Sequence, residues 1–168
     1  MGNRRTATAW ACAAAIALVT LGSQMHAQPD VKPGSRVGVF LRCTGQDDPL
    51  RALQAVKSLG LETIQVSKLP DRFYTAEGAT EFAGMLRSAG IRADSVVAVF
   101  TGESYADRDT VVRTVGFRPL HLIKERLEYL RTCVDFAGAI GAKIVTFHMG
   151  FLPENPQDDA YKAMLAAV

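Results

Sequence analysis

Three junctions in this sequence repeat one another: SLGLETI around Gly60, SAGIRAD around Gly90 and AIGAKIV around Gly141. Each closes an amphipathic run on a glycine and opens an apolar run at once. Glycine is the residue that lets a helix end in a left-handed turn. Each junction therefore reads as a helix end followed by a strand. Gly60 to Gly90 holds one strand–helix unit, and Gly90 to Gly141 holds the same unit plus an insertion over 102–118. Strands that alternate with helices lie parallel, because a parallel neighbour is reached through a crossover helix. The chain is thus predicted to be an α/β repeat with about four β/α units.

The units can be followed along the chain. Arg36 to Leu41 is a short apolar run. Asp48 and Pro49 supply an N-cap and a proline at the first helical position. Leu50, Leu53, Val56 and Leu59 form the inward face of the helix that follows. Leu61 to Ser67 is the second strand, and Thr75 caps a second helix with Phe82, Met85, Leu86 and Ala89 inward. The third strand is centred on Val96 to Phe100, and 102–118 reads as irregular. A long helix from Pro119 places Ile123, Leu127, Leu130, Val134 and Ala137 inward. Ile144 to His148 is the fourth strand, and a last helix starts near Pro156.

Two architectures suit such a repeat: a doubly wound sheet or a (β/α)8 barrel. RVGVFLRCTG carries Gly38 and Gly45 but no GxGxxG, so the dinucleotide fingerprint is missing. Strand parity favours the barrel. Ile64 and Val66 share one face, with Thr63, Gln65 and Ser67 on the other. Val145 and Phe147 oppose Ile144, Thr146 and His148. A barrel strand hides its apolar face under the helices and can turn polar residues into the mouth. A barrel runs to roughly 250 residues, however, and the last helix is still apolar at Leu165 to Val168. The expectation is a partial (β/α)8 TIM barrel, a truncated N-terminal half.

The first 27 residues read as a secretory signal: Arg4 and Arg5, an apolar alanine-rich run from Trp10 to Leu21, then a polar stretch ending at Ala27. The pair Arg4-Arg5 can also be read as a twin-arginine signal. Residues 28–35 form a linker, and 36–168 the domain. The predicted location is periplasmic or secreted, with no stable membrane span, because the apolar run is shorter than the roughly 20 residues a span takes. Arg4 and Arg5 account for the whole surplus of 19 Lys+Arg over 17 Asp+Glu, so the domain is formally neutral. No basic run remains to follow a phosphate backbone, which argues against nucleic acid as a partner. Cys12 lies in the signal. Cys43 and Cys133 sit in different elements without ligand spacing; an exported chain could pair them in one disulfide, but nothing demands it, and they read as half-buried free thiols.

The chemistry of such a barrel sits where strands end and helices begin. Those places hold Arg42, Lys68, Glu103, Tyr105, Asp107, His148 and Glu154, a set suited to a small polar ligand. His148 is the sharpest signal: its parity points it inward and its position puts it at the rim. Glu103, in TGES, can bind a hydroxyl or act as a base. Gln65 lies on the inward face of the second strand. His148, Glu103 and Gln65 are therefore the predicted substrate-binding residues. Asp107-Arg108-Asp109 reads as a surface turn and His121 as exposed. There is no HxH, HExxH or GxSxG, and one histidine with scattered carboxylates cannot make a metal site of three or four ligands. No catalytic set can be named.

TGESYADRDTVVRTVGF, followed by ERLEYLRTCVDFAGAIGAKIVTFHMGFLPENP, resembles the sugar phosphate isomerase/epimerase proteins of the xylose-isomerase-like TIM-barrel superfamily. Those proteins carry an acid-bearing loop after strand three, a long helix ending A-x-x-x-G and a fourth strand ending H-x-G-F-x-P. The resemblance covers 36–168, and Val145 to Pro156 is its most specific part. It implies metal-assisted proton transfer on a small sugar or sugar phosphate, with a divalent ion such as Mn2+ or Mg2+. The family's metal ligands come from strands five to eight, so none maps onto this chain, and the fragment is expected to be inactive. The competing expectation is a non-catalytic half-barrel that binds or assembles as a homo-oligomer to cover its open sheet edges. An endonuclease-type relative is a third reading, disfavoured by the neutral charge.

Overall fold

The computed structural model describes residues 37–168; the signal of 1–27 and the linker of 28–35 lie outside the described residues. The order is β1 (Gly38–Phe40), α1 (Pro49–Ser58), β2 (Thr63–Ser67), α2 (Ala76–Ala89), β3 (Arg92–Ala98), α3 (Arg108–Thr114), α4 (Ile123–Ile140), β4 (Ile144–Phe147) and α5 (Asp159–Ala166). Short 3-10 turns follow β1 and precede α2 and α4.

All four strands are parallel, in the order β1-β2-β3-β4. That order separates the two candidate architectures. A doubly wound sheet reverses direction at a switch point, whereas a barrel adds each strand beside the last. With each crossover in the usual right-handed sense, sequential addition keeps every helix on one face of the sheet. The opposite face is the barrel lumen.

Local chemistry explains the element ends. Asp48 accepts from the Arg51 backbone N–H at 2.9 Å, and Thr75 accepts from that of Gly78 at 3.1 Å. Gly60, Gly90 and Gly141 carry φ of 73°, 64° and 79°, as the repeated junctions predict. Asp107, expected in a surface turn, caps α3: its carboxylate accepts from the Thr110 N–H at 2.8 Å, and the insertion is partly helical. The long helix begins at Ile123, after the 3-10 turn Leu120–Leu122 has used the residues following Pro119.

Some expected faces turn. Leu53 and Val56 are fully buried on α1, but Leu50 and Leu59 at its ends are exposed; Ala52 takes the third inward place. On α4 the buried face is Arg126, Cys133, Phe136, Ala137 and Ile140, while Val134 is 53% exposed. The stripe is rotated toward the aromatic cluster of Tyr74, Phe82 and Phe136, whose ring centroids lie 4.9 and 5.9 Å apart. Large rings gain most by burial and set the rotation. Of the cysteines, Cys43 is exposed and Cys133 buried, both free.

Between β2 and β3 the register slips at Ile64/Gln65: Ile64 pairs with Ala93 and Gln65 with Ser95, leaving Asp94 over. Such a bulge re-aims the side chains beyond it. Here it brings the Ser95 hydroxyl within 2.9 Å of the Gln65 amide, which donates to it on the lumen side.

Candidate functional site

The strands end at a cleft of about 470 Å3, walled by Phe40, Arg42, Gln65, Glu103, Tyr105 and His148, among others. Alternation along β4 builds one side of it. Phe147 points away, its ring 5.3 Å from that of Phe117 and 6.0 Å from that of Phe100. The next residue, His148, therefore faces the cleft.

His148 does not stand alone. The Tyr105 hydroxyl lies 2.6 Å from its Nδ1, and Glu103 Oε2 lies 3.4 Å from the same hydroxyl. The other carboxylate oxygen of Glu103 accepts from the Gly116 N–H at 2.8 Å. A phenol has one proton and two takers here: it can donate to Glu103 while accepting from Nδ1–H, or donate to Nδ1. In the first arrangement His148 offers the cleft an acceptor at Nε2; in the second, a donor. Burial, and then the Glu103 charge, pushes the Tyr105 phenol above its ordinary value, so it stays a neutral hydrogen-bonding link.

The structure thus brings three of the predicted residues, His148, Glu103 and Gln65, to one cleft with Arg42 and Tyr105. Lys68 lies in a neighbouring cleft. Asp107 is spent on its cap, and Glu154 lines neither cleft.

What holds this network is mostly distant in sequence. Arg126, 3% exposed on α4, donates to the backbone carbonyls of Gly116, Thr101 (3.3 Å) and Thr114 (3.0 Å). Its guanidinium lies 5.1 Å from the Phe100 ring centre. Burial lowers its pKa, while the charges of Glu103 and Glu125 pull the other way. One cation so ties down two carbonyls of the insertion that carries Glu103 and Tyr105, and a third, that of Thr101, just before it. The signal for Arg126 was a charge three residues after Ile123, inside an apolar helical stripe. A second device is a backbone crossing: Phe117 N–H donates to Met149 O at 2.8 Å. Gly116 and Gly150 have φ of 64° and 90°, and a Cβ on either would strike the carbonyl of Met149 or Val115.

Among the described residues, no group of three or more His, Cys, Asp or Glu could hold a metal ion. Glu103 has one oxygen on Gly116 and the other on Tyr105. These residues do not fit the divalent ion that the resemblance implies.

A sequential parallel sheet with a polar cleft at the strand ends is the layout of a xylose-isomerase-like TIM barrel, here as four β/α units. The chain is similar to the crystal structure of a xylose isomerase domain protein from Planctomyces limnophilus, at 30% identity and a TM-score of 0.70. The match covers 81% of this chain and 48% of that one, so the chain spans about half the length of that relative. No family model and no curated protein matches it.

Proposed function

We propose that this chain provides the sugar-binding wall of an isomerase/epimerase-like barrel, with a small carbohydrate lying across the ends of β1 to β4. The observation that carries this reading is the Glu103–Tyr105–His148 network facing one cleft with Gln65. A sugar presents hydroxyls at its rim and an apolar C–H face. Gln65, Arg42 and His148 supply donors and acceptors for the first, and the Phe40 and Tyr105 rings supply surface for the second. Tyr105 sets which ring nitrogen of His148 carries hydrogen, so Nε2 meets the sugar as either a donor or an acceptor.

Bound ions of the Mn2+ or Mg2+ kind supply charge stabilisation in the barrels this chain resembles. Because the described residues make no such site, the chain by itself is proposed to bind sugar without turning it over.

Titration of the full chain with pentoses and hexoses, followed by NMR of the His148 and Tyr105 rings, tests the reading. Weak saturable binding is expected, reduced about tenfold in His148→Gln and Gln65→Ala. Unchanged spectra at saturating sugar would refute the binding claim. Epimerisation by the chain alone would refute the claim of no turnover.

A second reading rests on a separate observation. β1 and β4 each have one edge without a strand neighbour among the described residues, and Ile144 on the lumen face is 55% exposed. Open edges and apolar faces favour association. On this reading the chain is an assembly module, and light scattering would report a concentration-dependent dimer that Ile144→Lys disrupts.

We also propose export, supported by the basic, apolar and polar order of residues 1–27. Mass analysis of protein recovered outside the cytoplasm should show a chain beginning near Gln28. A full-length species there would refute cleavage. No helix among the described residues is long and apolar enough to cross a membrane.

A further inference from the structure

A second cleft, of about 450 Å3, opens between the loops that follow β1 and β2. Its polar lining is Arg42, Gln46, Asp47, Ser67, Lys68 and Asp71. Apart from Arg42, which lines both clefts, nothing in the carbohydrate reading uses it.

Ser67 is the observation that singles it out. Val66 packs in the core, so Ser67, next along β2, points to the opposite side, and it lines this cleft. The residue is 3% exposed, yet its Oγ has no hydrogen-bond partner. Buried hydroxyls are nearly always satisfied, because an unmade bond is not repaid by water. An orphan that persists at the mouth of a barrel is the kind of local violation that function explains.

The charges around it fix the missing partner. Arg42 and Lys68 share the cleft, and the ion pairs among the described residues are Arg72–Glu81 and Arg92–Asp94. Neither cation is therefore in salt-bridge reach of a carboxylate among the described residues, although Asp47 and Asp71 line the same cleft. Two cations and a hydroxyl donor, none paired among the described residues, complement an oxyanion.

We propose that the cleft between the β1–α1 and β2–α2 loops is an oxyanion site, in which Arg42 and Lys68 flank a phosphate or carboxylate and Ser67 Oγ donates to it. Arg42 also lines the first cleft. A ligand can therefore carry its charged group here and its hydroxyls toward Gln65. The site itself stands without the carbohydrate reading, since a free anion suffices to fill it.

The test uses the full chain at low ionic strength, titrated with inorganic phosphate and followed by NMR and calorimetry. Saturable binding is expected to shift the Ser67 and Lys68 amides. Arg42→Gln and Lys68→Gln should each weaken it about tenfold, as loss of a charge-assisted bond does. Arg131→Gln, an exposed arginine on α4, should leave it unchanged. Ser67→Ala is the sharpest arm: it should weaken phosphate several-fold and raise the melting temperature of the phosphate-free chain, because it removes an unsatisfied group. A lowered melting temperature, or failure to fold, would show that the hydroxyl has a structural partner and would overturn the proposal. So would phosphate affinity that ignores Arg42, Lys68 and Ser67, or that falls equally in Arg131→Gln. Glycerol phosphate binding more tightly than inorganic phosphate assigns the anion to an ester that reaches past Arg42. Equal affinities assign the site to free phosphate.

Discussion

β2 and β4 carry similar sequences, TIQVS and IVTF, and end in opposite circumstances. Four of the five residues of β2 are buried and the fifth, Gln65, is half-buried. β4 alternates between exposed and half-buried along its whole length. Composition does not separate them; position does. β2 has β1 on one side and β3 on the other, with Gln65 bonded to Ser95 across its lumen face. β4 has β3 on one side alone, and Ile144 and Thr146 meet solvent where a closed barrel would fill its interior.

The contrast can be broken or sharpened by substitution. The largest effect belongs to β2: Ile64→Ala should cost about 3 kcal/mol in urea unfolding, since the residue is fully covered. A loss below about 1 kcal/mol would mean that β2 is not the centre of the core. Next is Arg126→Met, which leaves the carbonyls of Gly116, Thr101 and Thr114 without that donor. About 2 kcal/mol is expected, together with altered His148 ring signals, because the loop bearing Tyr105 loosens. Unchanged His148 signals would separate Arg126 from the site.

The covered side also predicts an alkaline limit. Burial raises the phenols of Tyr74 and Tyr129 above 10.0. The folded chain then keeps protons that the unfolded chain releases, so stability is full below pH 10 and falls as pH rises beyond it. Tyr129→Phe should flatten that fall in a melting-temperature series, and an unchanged slope would clear Tyr129. The smallest effect belongs to the open strand: Ile144→Ala should change stability by less than about 0.5 kcal/mol. A cost near that of Ile64 would mean that something covers β4 in solution.

The sequence carries most of what is local. Caps at Asp48 and Thr75, glycines at helix ends and strand parity all depend on neighbours within a few residues, and each appears where the pattern places it. The parity of β4 sufficed to send His148 one way and Phe147 the other. Other features depend on partners far along the chain. The inward face of α4 is chosen by Phe82 and Tyr74, which no helical period can reveal, so Val134 is read inward and lies outside. The bulge at Asp94 arises from pairing with β2. Tyr105 is named at the rim by its place after β3, but its bond to His148 needs the insertion to fold back on β4. The orphan state of Ser67 is a fact about its surroundings and leaves no trace in its letter.

Gly116 and Gly150 touch backbone to backbone, with no side chain between them. That contact has a consequence for descent and for engineering. Side chains that pack can drift together through many intermediate pairs, but two glycines in left-handed geometry offer no intermediate, since the first methyl on either already collides. Segments 115–117 and 149–150 therefore behave as one heritable module split in the gene. A loop transplanted from another barrel would have to bring both halves, and a library that varies one half alone should return glycine at its centre.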